Sequence, residues 1–323
     1  MRPVLGGLLL LAVFVGTIQL VFGDQLNTAA GSSHSVTASV SSLIPVLSPT
    51  DYTEARWNRL RDVFRRLAET STGKKILSQA GEMVEQVRWG NVSKTDAVLT
   101  RQFDPTTGIE KRVREVTVYL KETQTIEESI LDLAHEMTHA MAGPQWDPYD
   151  PNLTASNYVH AIIDASGGEV DALTTECRVA LELSDMKGTD PGRCTKYSRS
   201  TEERVSRAEI LKDFYRVGRW KGQVAKALEQ SGVDTGALPL LSGEEAVFFS
   251  STGKTPYPIA LLREFAELNN VACGNTVKRL STMSSSTDQN PQTIRDSTVR
   301  FLRKRCPGSV PELSRRFPKL TRR

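Results

Sequence analysis

Histidine and cysteine are scarce in this chain, with four of each in 323 residues. The cysteines, Cys177, Cys194, Cys273 and Cys306, form no CxxC pair, which excludes a zinc ribbon. Four cysteines so spaced fit two disulfides in an oxidising compartment. Of the connectivities open to them, Cys177–Cys194 with Cys273–Cys306 closes the shortest loops and is the expected one; reduced, buried cysteines are the alternative. Net charge is also lacking. The formal balance is +3, too small to argue for nucleic acid as a partner. Basic residues gather near the end, from Arg300 to Arg323, with few acids between them, where a solvated helix and tail account for them more readily than a surface for anionic lipid or polymer. No internal repeat is visible.

One apolar run stands out. Arg2 precedes a stretch from Val4 to Phe22, broken only by glycines, Thr17 and Gln19. Val21 and Gly23 are small enough for a signal-peptidase site before Asp24, so residues 1–23 read as a signal peptide. Retained, the same run would be a membrane anchor, and only then would a membrane be a partner. Either way the rest of the chain is expected outside the cytosol, secreted or periplasmic. No cysteine follows the run directly, which argues against a lipid anchor. Residues 24–50, rich in Ser, Ala, Thr and Val, read as a low-complexity linker or propeptide.

What remains has ordinary globular composition, 39% hydrophobic and 24% charged, enough for one sizeable core with appendages or for two small domains. Ser48-Pro49-Thr50-Asp51 offers a helix start, and Trp57, Leu60, Val63, Phe64 and Leu67 recur at helical spacing. Ser71-Thr72-Gly73 reads as a stop, with a second helix from about Lys74 to Val87. Two β-branched stretches follow, Ala97 to Phe103 and Arg112 to Lys121, separated by the turn cluster Asp104-Pro105-Thr106-Thr107-Gly108. They read as an antiparallel hairpin. A capping box, Thr125-Ile126-Glu127-Glu128, then opens a helix whose buried stripe is Ile126, Ile130, Leu133, Met137 and Met141. Another helix is expected from Gly168 to Leu183. Beyond Thr201 the chain reads as almost wholly helical, with breaks near Gly218, from Gly232 to Gly243, and from Ser281 to Pro291.

The capped helix carries His135-Glu136-Met137-Thr138-His139. Residues four apart share one face of a helix, so both imidazoles can reach one ion. Zinc held by two histidines and a carboxylate is a common hydrolytic site. The ion lowers the pKa of water and polarises a carbonyl. Glu136, beside the pair, is placed to act as general base. With Ala142 and Gln145 downstream there is no HExxHxxGxxH pattern, which removes the metzincin arrangement. The third ligand is expected at Glu169, in the first turn of the helix that Gly167-Gly168 opens. Asp171 and Glu176 on that helix, and His160 before it, are its competitors. His160 and Tyr158 are the nearest candidates for a donor to the transition state.

The order of elements from Thr50 to Leu183, with HEMTHA followed by E-x-D-A, resembles the gluzincin, thermolysin-like zinc metallopeptidases. The resemblance implies His135, His139 and Glu169 as ligands of one zinc ion and Glu136 as base. It also implies that the strand before the motif helix, Arg112 to Lys121, pairs with an extended substrate. The chain departs from the pattern at Leu173, where an acid one turn after the third ligand is common, which leaves one histidine without an assigned partner.

The expected fold is therefore α+β. A zincin-like catalytic domain at 51–200 is followed by a helical C-terminal subdomain with a basic tail at 201–323. The expected function is that of an exported zinc metallopeptidase acting on peptides or proteins. The competing readings are a zinc amidase of cell-wall or other non-protein amides, and a secreted helical interaction protein with a degenerate site.

Overall fold

The computed structural model describes residues 52–80, 83–103, 110–143, 146–200, 204–230, 237–250, 255–285 and 292–307. The expected signal peptide, the linker, the helix start at Ser48-Pro49-Thr50-Asp51, the turn Asp104–Gly108 and the basic tail beyond residue 307 lie outside them. The fold is α+β, mostly helical, with one three-stranded sheet.

Helix α1, Glu54–Leu67, buries Leu60, Val63, Phe64 and Leu67 on one face, as the sequence spacing requires. Helix α2 corrects the expectation for its region: it spans Ser71–Ala80, so Ser71-Thr72-Gly73 starts the helix rather than stopping one. Thr70 Oγ1 accepts from Gly73 N at 2.9 Å, and the Glu182 carboxylate accepts from Thr72 N at 3.1 Å. A carboxylate among free N–H groups stabilises a helix start. Gly73 is required by close approach, since a Cβ there would lie 2.0 Å from Leu67 O.

The expected helix does not continue to Val87: its last two residues, Gln86 and Val87, begin a strand. β1, Gln86–Gly90, pairs parallel with β3, Glu110–Lys121; β2, Lys94–Phe103, pairs antiparallel with β3 from Lys94↔Tyr119 to Phe103↔Glu110. The expected hairpin is present, in a sheet of order β1-β3-β2. β3 is thus the middle strand and β2 an edge. β1 escaped the sequence reading because only Val87 and Trp89 mark its buried face, and its pairing is non-local.

Helix α3, Ile126–Met141, begins with the expected capping box, reciprocal between Thr125 and Glu128. It packs on α1, α2 and the sheet, and Ile130, Leu133, Ala134, Met137 and Ala140 enter one core with residues of those elements. Helices α4, Ala155–Ile163, and α5, Glu169–Lys187, follow. α5 joins two cores: Val179 and Leu183 belong to the first, while Val170, Leu173, Cys177 and Ala180 belong to a second.

That second core runs from Leu153 to Leu268 without a break near residue 200. It takes in a 3₁₀ helix at Gly192–Tyr197, α6 at Arg207–Phe214, α7 at Lys221–Gln230 and the first half of α8, Tyr257–Ser285. Helix α9, Gln292–Arg305, packs on α8 around a third, small cluster. The region is not wholly helical: isolated bridges join Arg216 to Leu241 and Phe249 to Pro256. Disulfides Cys177–Cys194 and Cys273–Cys306 tie α5 to the 3₁₀ helix and α8 to the end of α9. Two disulfides are consistent with an extracytoplasmic protein. Among the described residues no helix is long and apolar enough to cross a membrane.

Candidate metal centre

α3 and α5 bring His135, His139 and Glu169 together, with one ligand atom of each within 4.8 Å of the others. The separations are 3.2 Å between the two Nε2 atoms, 3.4 Å from His135 Nε2 to Glu169 Oε2, and 3.7 Å from His139 Nε2 to Glu169 Oε1. His135 and Glu169 are each 3% exposed, while the His139 side chain is 22% exposed and leaves the cluster reachable from solvent on that side.

Gly167-Gly168 make this approach possible. Gly167 has φ +73°, in the left-handed region, and a Cβ on it would lie 2.1 Å from Ala142 Cβ at the end of α3. The start of α5 therefore sits directly against the motif helix, with Glu169 in its first turn.

The outer nitrogen of each imidazole is fixed. His135 Nδ1 lies 3.0 Å from Glu176 Oε2, and His139 Nδ1 lies 2.8 Å from the Gly167 carbonyl oxygen. Both partners are acceptors, so each neutral ring carries its proton on Nδ1 and turns an Nε2 lone pair inward. Tyr257, at the start of α8, donates to Glu169 Oε1 at 2.6 Å. Glu169 Oε2 is buried with no hydrogen bond.

Three inward-facing acceptor atoms at this spacing call for a cation. Ligands about 2.0–2.1 Å from one tetrahedral ion stand about 3.4 Å apart, and the observed separations match. The residues therefore fit a metal ion. The electrostatics agree. Burial opposes charge on His135, but the carboxylates of Glu169 and Glu176 beside it outweigh that and raise its pKa well above the ordinary value. His139 is raised against burial by the charge of Glu169. Burial alone would raise the pKa of Glu169, but the two histidines hold its carboxyl well below the usual range.

Glu136 lies on the same helix, 8% exposed. Burial raises its pKa. Thr95 Oγ1, on the edge strand β2, lies 2.9 Å from Glu136 Oε2 and 2.7 Å from the Glu136 carbonyl oxygen.

The competitors for third ligand have other work. Asp171 accepts from Gly167 N at 3.1 Å and pairs with Arg207 at 2.8 Å. Glu176 orients His135 and also pairs with Arg193, so it supplies the partner that Leu173 cannot. His160 lies against Tyr215 and Asp164, and Tyr158 donates to Glu264, so neither touches the cluster. Tyr257, Thr95, Arg193 and the Gly167 carbonyl were not singled out from sequence. Only Glu176 left a signal, lying two helical turns after Glu169 on the same face.

Compared with models of protein families, with curated proteins and with solved structures, the chain matches none. The functional reading rests on the residues themselves.

Proposed function

We propose that this chain is an exported zinc metallopeptidase of gluzincin type, with His135, His139 and Glu169 holding one zinc ion and Glu136 acting as general base. The observation that carries the reading is the buried group of two Nε2 atoms and the unpartnered Oε2 of Glu169, beside a glutamate set back on the same helix. Zinc, when bound, supplies Lewis acidity that activates water and polarises a carbonyl.

The rest of the work falls to the chain's own groups. Glu136 takes a proton from the attacking water at its carboxylate and returns it to the leaving amine. The Thr95 hydroxyl, within hydrogen-bond reach of Glu136 Oε2, keeps the carboxylate from swinging away. Glu176 and the Gly167 carbonyl hold the two histidine rings in one tautomer.

Substrate pairing, which the resemblance assigned to Arg112–Lys121, passes to β2. β3 has β1 on one side and β2 on the other, whereas β2 is an edge whose Thr95 touches the base. An extended peptide adding to that edge would lie across Glu136.

The test is hydrolysis of an unfolded protein by the mature chain with zinc. Glu136→Gln should keep zinc bound and lower the rate about 10²- to 10⁴-fold. Retained activity would remove Glu136 from the chemistry. Cleavage of cell-wall amides with no peptide hydrolysis would move the reading to an amidase.

A further inference from the structure

The resemblance left one histidine without a partner, and the chain fills the gap in a way of its own. Glu176 is 3% exposed. Its Oε2 lies 3.0 Å from His135 Nδ1, and its Oε1 accepts from Arg193 Nη2 at 2.5 Å. Arg193 stands in the 3₁₀ helix Gly192–Tyr197, beyond the end of α5. The disulfide joins the residues immediately after each member of the pair, Cys177 after Glu176 and Cys194 after Arg193. Both sulfur-bearing residues are buried, at 0% and 1% exposure.

We infer that Arg193 is a positioning residue for the metal ligand His135, acting through Glu176. A carboxylate with two oxygens can turn about its last bond. Arg193 occupies Oε1 and so directs Oε2 at the imidazole, which fixes the ring's orientation and keeps its proton on Nδ1. Without the guanidinium, Glu176 loses the anchor of its Oε1, and the ring loses a fixed acceptor. A single contact through Nη2 is within the reach of a lysine ammonium, so the conservative variant should substitute.

The inference rests on the metal-site reading, and its test separates the two. Zinc affinity is measured by competition with a chromophoric chelator for the wild-type chain, Arg193→Ala, Arg193→Lys and Lys196→Ala. Lys196 lies on the same 3₁₀ helix but pairs with Asp213, so it reports general damage to that segment. In parallel, side-chain ¹⁵N signals of the metal-free chains, recorded at a pH high enough to leave the ring neutral, report the tautomer of His135.

Arg193→Ala should weaken zinc about ten- to a hundredfold, Arg193→Lys should recover most of it, and Lys196→Ala should stay within about twofold of wild type. Arg193→Ala should also lose the Nδ1–H signature of His135. Wild-type affinity in Arg193→Ala, or an equal loss in Lys196→Ala, would overturn the inference. If the wild-type chain takes up no zinc, the metallopeptidase reading fails instead. The ¹⁵N signals then decide: an unchanged His135 tautomer in Arg193→Ala overturns the role of Arg193, and a changed one supports it.

Discussion

Tyr257 donates to Glu169 Oε1 at 2.6 Å across a sequence separation of 88 residues, so the third member of the metal group is held by a helix from the far half of the chain. Tyr257 is 1% exposed, and burial together with the Glu169 carboxylate raises its pKa well above the ordinary phenol. Tyr257→Phe removes the donor and leaves the ring in place. Zinc affinity should fall about tenfold, with a stability loss of about 1 kcal/mol measured by urea unfolding of the metal-free chain. Unchanged affinity would mean that Glu169 is positioned by α5 alone.

The two disulfides should separate stability from metal binding. Their loops span 17 and 33 residues. On a chain-entropy estimate, removing them costs about 3 and 4 kcal/mol, with the longer loop worth more. Only Cys177–Cys194 adjoins the Glu176–Arg193 pair. Paired Cys→Ala substitution there should weaken zinc several-fold. The same change at Cys273–Cys306 should lower the unfolding midpoint at least as far and leave zinc affinity unmoved. The reverse order for affinity would contradict the arrangement described.

Glu264 makes a prediction about pH. Burial, with the like charges of Glu267 and Glu169, raises its pKa to about 7, while the hydrogen bond from Tyr158 at 2.7 Å works the other way. The ordinary value is 4.5. The folded state thus binds the proton more tightly than the unfolded chain. The resulting stability is fully present below about pH 4.5 and is lost as pH rises through about 7. Glu264→Gln, which still accepts from Tyr158, lacks this loss. In urea titrations with a metal chelator, the variant should gain on wild type by about 1–2 kcal/mol between pH 5 and pH 8. A constant difference across that range would contradict the raised pKa.

Local signals in the sequence carried much of this architecture. The capping box at Thr125 and Glu128 is a three-residue relation, and the helix it announces is present. Gly167-Gly168 before Glu169 marked a close approach, because no side chain fits where Gly167 meets Ala142. The disulfides followed loop length. Long-range features left no comparable trace. β1 is short and defined by its partner β3, so the expected helix was carried into its first two residues, Gln86 and Val87. Glu176 and Glu169 share a face of α5, and no spacing rule could say which meets the inner nitrogen of His135 and which the outer. The contact distances separate them. Tyr257 and Arg193 reach the site through tertiary packing, and composition could only assign such residues to the core or the surface.

The central claim is that His135, His139 and Glu169 hold one zinc ion. Native mass spectrometry of the purified full-length chain, supplied with zinc and then desalted, tests it directly. The account predicts one zinc per wild-type chain and none retained by His139→Ala. A wild-type chain that retains no zinc, or a His139→Ala chain that retains it equally, would contradict the account.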